Sequence, residues 1–335
     1  MWRRPERGDR EPPSSPSEPV VRGVTITTRE LITLRRYASG IAFAGRSRTA
    51  SPLAGGHASP FRGRGIDFEE VRAYQPGDDI RSMDWRVTAR TGKPHTKLYR
   101  EERERPALFL VDLPTSMAFG TRRVFKSVQA ATITALMAWN VVGHGDRVGG
   151  LVSGINGHSE HRPQGGKRGI LQLLKAVTEA VPTPDSTAQS DTTPPLSESL
   201  ARLRRVARPG SLVCLVSDFQ NVDATARRHL ISLARHTDMA VMPIFDPLEA
   251  EPPPPGAWRF SNGLTSTLFD GHDSARRRAW QQRFQNRIDA LNRLCQQHRI
   301  LFLPVSTADD PVRVLRDGLI PQSRHGHNTL QEIHG

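Results

Sequence analysis

The chain has 335 residues and a formal net charge of +13, from 47 Lys and Arg against 34 Asp and Glu. That length suits one large or two modest domains with ample core, and no apolar run approaches the length of a membrane span. Two cysteines exclude a disulfide framework: Cys214 sits in an apolar stretch (SLVCLVSD) and Cys295 in a helical one, so both read as small buried hydrophobes of a soluble, cytoplasmic protein.

The basic excess points towards nucleic acid, but its distribution does not. Only five of the basic residues are Lys (Lys93, Lys97, Lys126, Lys167 and Lys175), a bias that genomic base composition produces without any ligand. The arginine clusters Arg204-Arg205, Arg227-Arg228 and Arg276-Arg277-Arg278 each fall on a predicted helix, where a solvated face accounts for them.

Taken in chain order, residues 1–22 lack the apolar core of a signal peptide and contain acids, so they read as a disordered tail. In VTITTRELITLRRYASGIAF, Thr27-x-x-Glu30 is a capping box, with Leu31, Leu34 and Ala38 as the apolar stripe of the helix it starts. Residues 63–104 then interleave charge with apolar anchors. Between Asp67 and Arg90, Phe68, Val71, Tyr74, Ile80, Met83, Trp85 and Val87 are threaded through a dense run of Asp, Glu and Arg. Pro76-Gly77 marks a tight turn, and Asp78 is the expected N-cap of a helix running to about Thr91. On that helix Ile80, Met83 and Val87 form one inward stripe, and Arg81 reaches Asp84 and Trp85. Exposed pairs of this kind contribute only tenths of a kcal/mol, roughly. The segment is therefore either an internal ion-pair network or a charged docking face. It is expected to join the Thr27 helix in a small N-terminal subdomain, residues 23–105.

From residue 106 strands and helices alternate, the pattern of a doubly wound α/β sheet. ALFLVD (107–112) is a buried strand, followed by an amphipathic helix over Arg123–Val142, the strand RVGGLVS and an edge strand GHSEHRPQ. The helix KRGILQLLKAVTEAV leads to a flexible Pro- and Thr-rich loop at 183–195. LSESLARLRRVA (helix), SLVCLVSDF (strand), a helix near 224–236 and the strand MAVMPIFDP follow. After EPPPPG comes a hairpin turning at Asn262-Gly263, a long helix over 275–298 and a last strand, ILFLPVS. The unit is expected to span 106–320, with 321–335 a second disordered tail.

The string G-x-D-F-x-x-x-R-x-Y-x-x-G-D-D-x-R-x-x-D-W-x-x-x-A-R is carried by Gly65, Asp67, Phe68, Arg72, Tyr74, Gly77, Asp78, Asp79, Arg81, Asp84, Trp85, Ala89 and Arg90. It resembles the signature of the bacterial family known as domain of unknown function 58, over about residues 25–320. The resemblance implies a degenerate von Willebrand factor A-like domain with an N-terminal extension that holds the signature. It also implies a MoxR-type AAA+ ATPase as partner, since members are encoded beside one, and it assigns no reaction.

Ligands of doubly wound folds sit at the carboxyl ends of the strands, where Asp112 and Asp218 stand. In von Willebrand A domains such an Asp opens a D-x-S-x-S loop that binds Mg²⁺ with a Thr and an Asp from two further loops. Here Asp112-Leu113-Pro114-Thr115-Ser116 keeps the last Ser, Pro114 replaces the first, and Asp218 matches the third element. Asp112, Ser116 and Asp218 are thus the remnant of a metal site short of the oxygens Mg²⁺ requires. Thr121 lies far along the loop. In the second loop, Gly165-Gly166-Lys167-Arg168-Gly169, a base is positioned to replace the ion's charge.

His144, His158 and His161 are available as bases beside an Asp112–Asp218 carboxylate pair, but no catalytic motif places a nucleophile next to them. The expected function is a non-enzymatic adaptor that works with a MoxR-type ATPase on client proteins. The signature residues Asp67, Phe68, Arg72, Tyr74, Gly77, Asp78, Asp79, Arg81, Asp84, Trp85 and Arg90 form its docking face. An Arg-rich nucleic-acid-binding protein and a metal-dependent hydrolase are the alternatives.

Overall fold

The computed structural model describes residues 23–41, 66–75, 80, 83–101, 105–182, 193–261 and 265–319. The expected tails at 1–22 and 321–335, the 183–192 part of the loop, the Asn262-Gly263 turn, and Gly65, Gly77, Asp78, Asp79 and Arg81 lie outside them. The chain divides into two compact units, one made of 1–46 with 106–335 and the other of 47–105.

In chain order the elements are α1 (Thr28–Thr33), α2 (Arg35–Ala38), β1 (Ile66–Ala73), α3 (Trp85–Thr91), β2 (His95–Glu101) and β3 (Pro106–Leu113). There follow α4 (Lys126–Gly143), β4 (Arg147–Gly154), β5 (Gly157–Gln164), α5 (Gly166–Ala180), α6 (Leu196–Val206), β6 (Leu212–Ser217), α7 (Ala224–Ala234) and β7 (Asp238–Phe245). The last are α8 (Pro247–Ala250), β8 (Ala257–Ser261), β9 (Ser266–Asp270), α9 (Ser274–Gln297), β10 (Leu301–Phe302), β11 (Val305–Ser306) and α10 (Pro311–Leu319).

The larger unit is mixed α/β around a central, mostly parallel sheet of order β10-β7-β6-β3-β4-β5, with β11 also on β7. Only β5 runs antiparallel, against β4. The expected final strand ILFLPVS is instead two short parallel pairings, Leu301–Phe302 and Val305–Ser306. Pro304 between them has no N–H for a ladder. β3 lies in the middle of the sheet and sends alternate side chains to opposite faces. Ala107, Phe109, Val111 and Leu113 enter one core, with α4 and α5, while Leu108 and Leu110 enter the other, with α6, α7 and α9. A side chain such as Phe109, fully buried, stabilises the fold by roughly 1.5–3 kcal/mol. Gly149 and Gly150 are packing residues, because a Cβ at Gly150 would strike Phe109 O of β3 and one at Gly149 would strike His161 O of β5.

Two expectations are corrected here. The helix after β3 starts at Lys126 rather than Arg123 and is not amphipathic: every residue from Lys126 to Val141 is buried. It lies against the sheet and is covered by α1, α2, α5 and α10, and a helix enclosed on all sides needs no polar face. The 23–105 span is not one unit either. The Thr27–Glu30 capping box forms as expected, but Leu31, Leu34, Ala38 and Ile41 are part of the core around α4. Trp139 Nε1 donates to Leu31 O (3.1 Å), and Asn140 Nδ2 to Ala38 O (3.0 Å) and Ile41 O (2.6 Å). These bonds satisfy carbonyls that the short helices leave open at their ends.

The smaller unit pairs β1 with β2 antiparallel, with a register shift between Phe68 and Glu70. Its helix α3 begins at Trp85, not behind Asp78. Asp84 is the N-cap, and its Oδ1 accepts from Arg86 N (3.0 Å) and Val87 N (3.1 Å). Gly92, at φ 69°, ends the helix in the left-handed region that glycine enters freely. Ile80 is therefore off the helix and 61 % exposed, and Met83 forms a bridge with Thr96. The predicted Ile80–Met83–Val87 stripe does not exist.

Candidate functional site

Four parallel strands, β3, β6, β7 and β11, end at one edge of the sheet, and the residues that follow them form a polar cluster. Asp112 is the seventh residue of β3, and its Oδ2 accepts from Ser217 Oγ at the end of β6 (2.8 Å). A 3₁₀ turn over Thr115–Met117 carries Ser116. Its hydroxyl donates to Asp218 Oδ2 (2.6 Å), while Asp218 Oδ1 accepts from Gln220 N (3.3 Å). The structure thus brings Ser116 and Asp218 together and turns Asp112 to Ser217. Phe219, between the two bonded residues, holds a positive φ of 49° with its ring buried. That conformation is uncommon for a bulky residue, and Phe219 N donating to Ser217 Oγ (3.2 Å) helps to hold it.

The centre of the cluster is a residue that sequence reasoning passed over. Lys126, the first residue of α4, is fully buried, and its Nζ donates to Asp218 Oδ2 (3.0 Å) and Glu249 Oε1 (2.9 Å). A lone buried ammonium would be prohibitive; one held between two carboxylates is tolerable, and deleting one partner of such a pair typically costs about 3–5 kcal/mol. Glu249 is fixed from both sides. Gln220 Nε2 donates to its Oε1 (2.9 Å), and Asp246 N donates to its Oε2 (3.0 Å) in a capping box that starts α8.

A fourth carboxylate, Asp246, follows β7 and is fully buried. Its Oδ1 accepts from Thr121 Oγ1 (2.6 Å) and Leu248 N (2.9 Å), and its Oδ2 from Thr121 N (2.7 Å) and Thr307 Oγ1 (2.6 Å). Thr121 therefore serves Asp246 and not the Asp112–Asp218 pair. Asp246 and Glu249 were legible in principle. F-D-P-L-E places an Asp at a strand end and a Glu three residues on, the spacing of a capping box. Further out, Trp280 Nε1 of α9 donates to Leu248 O (2.9 Å) and Glu249 O (3.1 Å), fastening α8.

The expectation that Lys167 or Arg168 replaces the ion's charge is corrected by topology. Because β5 returns antiparallel, the turn after it reaches the amino end of the sheet. Gly169 packs against Gln164 O and Val148 O, and Val148 pairs with Ala107, at the far end of β3 from Asp112. Lys167 and Arg168 are exposed there.

As packed, Asp112, Ser116 and Asp218 do not fit a divalent cation. Such an ion needs oxygen lone pairs directed at it, but Asp218 Oδ2 already accepts a hydroxyl and an ammonium. Among the described residues no group of three His, Cys, Asp or Glu gathers in a metal-holding arrangement. Of the histidines, His144 Nδ1 lies 2.8 Å from Asn140 O, and His158 Nε2 is 3.9 Å from Glu160 Oε1. Burial lowers the pKa of His161 on β5, with Glu179 opposing. Ser116, with its hydroxyl on Asp218, has a carboxylate partner in place of an imidazole.

The signature residues are spread over the smaller unit. Asp67 and Phe68 lie on β1, in register with Arg100 and Tyr99. Arg72 Nη1 donates to Ala73 O (3.2 Å), and Tyr74 N to Pro94 O (2.9 Å). Asp84 is 9 % exposed and spent on the helix cap, whereas Trp85 is 67 % exposed and Arg90 is exposed on the same short helix.

The molecule is thus a two-unit α/β protein whose mostly parallel sheet closes its carboxyl edge with an internal lysine–carboxylate cluster. The chain belongs to the family described as protein of unknown function DUF58, whose model matches residues 70–289. It is 30 % identical over 204 residues to the uncharacterized proteins Rv1480 of Mycobacterium tuberculosis and Mb1516 of Mycobacterium bovis. The match covers 61 % of this chain, which spans about 62 % of the length of those relatives. Among solved structures it is similar to the conserved hypothetical protein BatB from Bacteroides thetaiotaomicron (13 % identity, TM-score 0.40, 64 % of this chain and 97 % of that one). An aerotolerance-related membrane protein from Bacteroides fragilis matches at 12 % identity and TM-score 0.40, over 64 % and 98 % of the two chains. Among the described residues no helix is long and apolar enough to cross a membrane.

Proposed function

We propose that this protein is a non-enzymatic adaptor that works with a MoxR-type AAA+ ATPase on a client protein, its larger unit a degenerate von Willebrand A-like domain. The observation that carries this reading is Trp85: a tryptophan two-thirds exposed, in a helix whose neighbours Arg86 and Arg90 are also exposed. Tryptophan and arginine are the residue types that dominate binding energy at interfaces, and an internal ion-pair network has no use for an outward indole. Ile80 of the same unit is exposed as well. The carboxyl-edge loops around Asp112, Ser116 and Asp218 offer a second contact through partly exposed residues such as Ser116; Asp112 and Asp218 themselves are buried. The two free, buried cysteines suit a reducing, cytoplasmic setting.

The test is capture of the tagged protein from its host's lysate with ATP, Mg²⁺ and nuclease, comparing wild type with a Trp85→Ser, Arg90→Glu variant. Charge reversal at Asp84 is the wrong probe, because it would remove the α3 cap at a cost of about 1 kcal/mol. An AAA+ ATPase retained by wild type and lost from a variant of unchanged melting temperature supports the reading. Retention by the variant would move the contact away from α3, and absence of any ATPase from the wild-type eluate would end the adaptor reading.

A further inference from the structure

We infer that Lys126 stands in the place of a divalent cation, so that the carboxyl edge of the sheet is a built-in, cation-independent form of a metal site. The ligands the A-domain resemblance implies are Asp112, Ser116 and Asp218. Two of them, Ser116 and Asp218, are bonded to each other, and the oxygen they share, Asp218 Oδ2, also accepts the Lys126 ammonium. The ammonium therefore takes the same carboxylate oxygen that an ion held by Asp218 would take. Glu249 Oε1 closes its other side at 2.9 Å.

The charges fit this substitution. Asp218 and Glu249 together carry two negative charges, as a pair suited to a divalent ion would, and the lysine offsets one. Gln220 contributes two further donors, its backbone N–H to Asp218 and its side-chain amide to Glu249. Lys126 is held in place along the chain as well, since its backbone N–H donates to Phe119 O (2.7 Å) and its helix is enclosed on every side.

The consequence is an acquired metal site when the lysine is removed. The two carboxylate oxygens converge on one point at 2.9 and 3.0 Å. Mg²⁺ sits at roughly 2.0–2.1 Å from its oxygens, so each would draw in by less than about 1 Å. Water would complete the shell.

Lys126→Ala tests this, with Mn²⁺ as the probe and wild type as reference. Thermal melts in EDTA and in MnCl₂, with Mn²⁺ electron paramagnetic resonance, should show no response in wild type. The variant should melt well below wild type in EDTA, recover several degrees in Mn²⁺, and bind one Mn²⁺ saturably. If it does not fold unaided, refolding with Mn²⁺ should yield soluble protein where refolding in EDTA does not. Two results would overturn the inference: saturable Mn²⁺ binding by wild type that Asp218→Asn abolishes, or a variant that neither binds Mn²⁺ nor is rescued by it in melting or refolding.

Discussion

Asp309 shows how much a single side chain can resist its surroundings in this fold. It sits just beyond β11, and its Oδ2 accepts from Ser306 N (2.8 Å). Burial nonetheless pushes its carboxyl above the ordinary range, more strongly than that bond and the positive charge of Arg123 pull it down. A carboxyl whose pKa is raised by folding is neutral in both states at low pH and contributes no pH dependence there. As pH rises through the unfolded value towards the folded one, ionisation becomes costlier in the fold than outside it, and stability falls. Asp309→Asn keeps an acceptor for Ser306 N and removes that cost. The variant should therefore be more stable than wild type at pH 7, with the advantage shrinking to nothing below the ordinary carboxylate range. Denaturant melts at both pH values check this, and a difference independent of pH would refute it. Cys295 is the neutral counterpart, its thiol pushed up to about 12 by burial. With Cys214 also buried, neither thiol should react with a thiol-specific reagent at pH 8 until the protein is unfolded. One equivalent of rapid labelling would contradict that.

The elements of the larger unit were legible where their burial is uniform. β3, β6 and β7 are continuous apolar runs because both faces of the sheet are covered, and their ends placed Asp112 and Asp218 correctly. α3 was misread because Asp78, Asp79 and Asp84 all have N-cap chemistry. Only the bonds from Asp84 to Arg86 N and Val87 N show which one starts the helix. Lys126 was illegible for a different reason, since its partners lie 92 and 123 residues away. One signal was present: K-S-V-Q-A-A-T-I-T-A-L-M-A-W-N has no other charge, so its Lys stands at the mouth of a helix with no polar face. The same logic gives a prediction for α8, a single turn carrying Glu249. Its carbonyls at Leu248 and Glu249 are held by Trp280, whose ring also contacts Phe260 and Phe269 at centroid distances of 5.4 and 5.0 Å. Trp280→Phe keeps an aromatic ring there and loses the indole donor, so it should destabilise by about 1–2 kcal/mol. Combined with Lys126→Met it should cost less than the sum of the two changes, because α8 then has no ammonium left to meet. Strict additivity in urea melts would disconnect Trp280 from the cluster.

At the scale of the whole molecule, the family signature and the sheet belong to different compact units, although they are continuous in sequence. Among the described residues, both apolar cores of the larger unit are assembled without any from 47–105. Its N-terminal helices α1 and α2 are instead held by Trp139 and Asn140 of α4. The sheet-bearing unit should thus fold without the segment that carries Trp85. Replacing residues 47–105 with a Gly/Ser linker of about 15 residues, long and flexible enough not to impose a geometry, should leave a single cooperative melt within a few degrees of wild type. It should also leave near-ultraviolet circular dichroism from the buried aromatics intact. The same protein should fail to retain an AAA+ ATPase if the signature surface is the docking face, while a full-length Lys126→Ala, kept folded with Mn²⁺, should retain it. Loss of the cooperative transition on excision would show that the larger unit depends on the signature segment for its fold. The exposed indole of Trp85 would then have to be explained without assigning that segment to a partner.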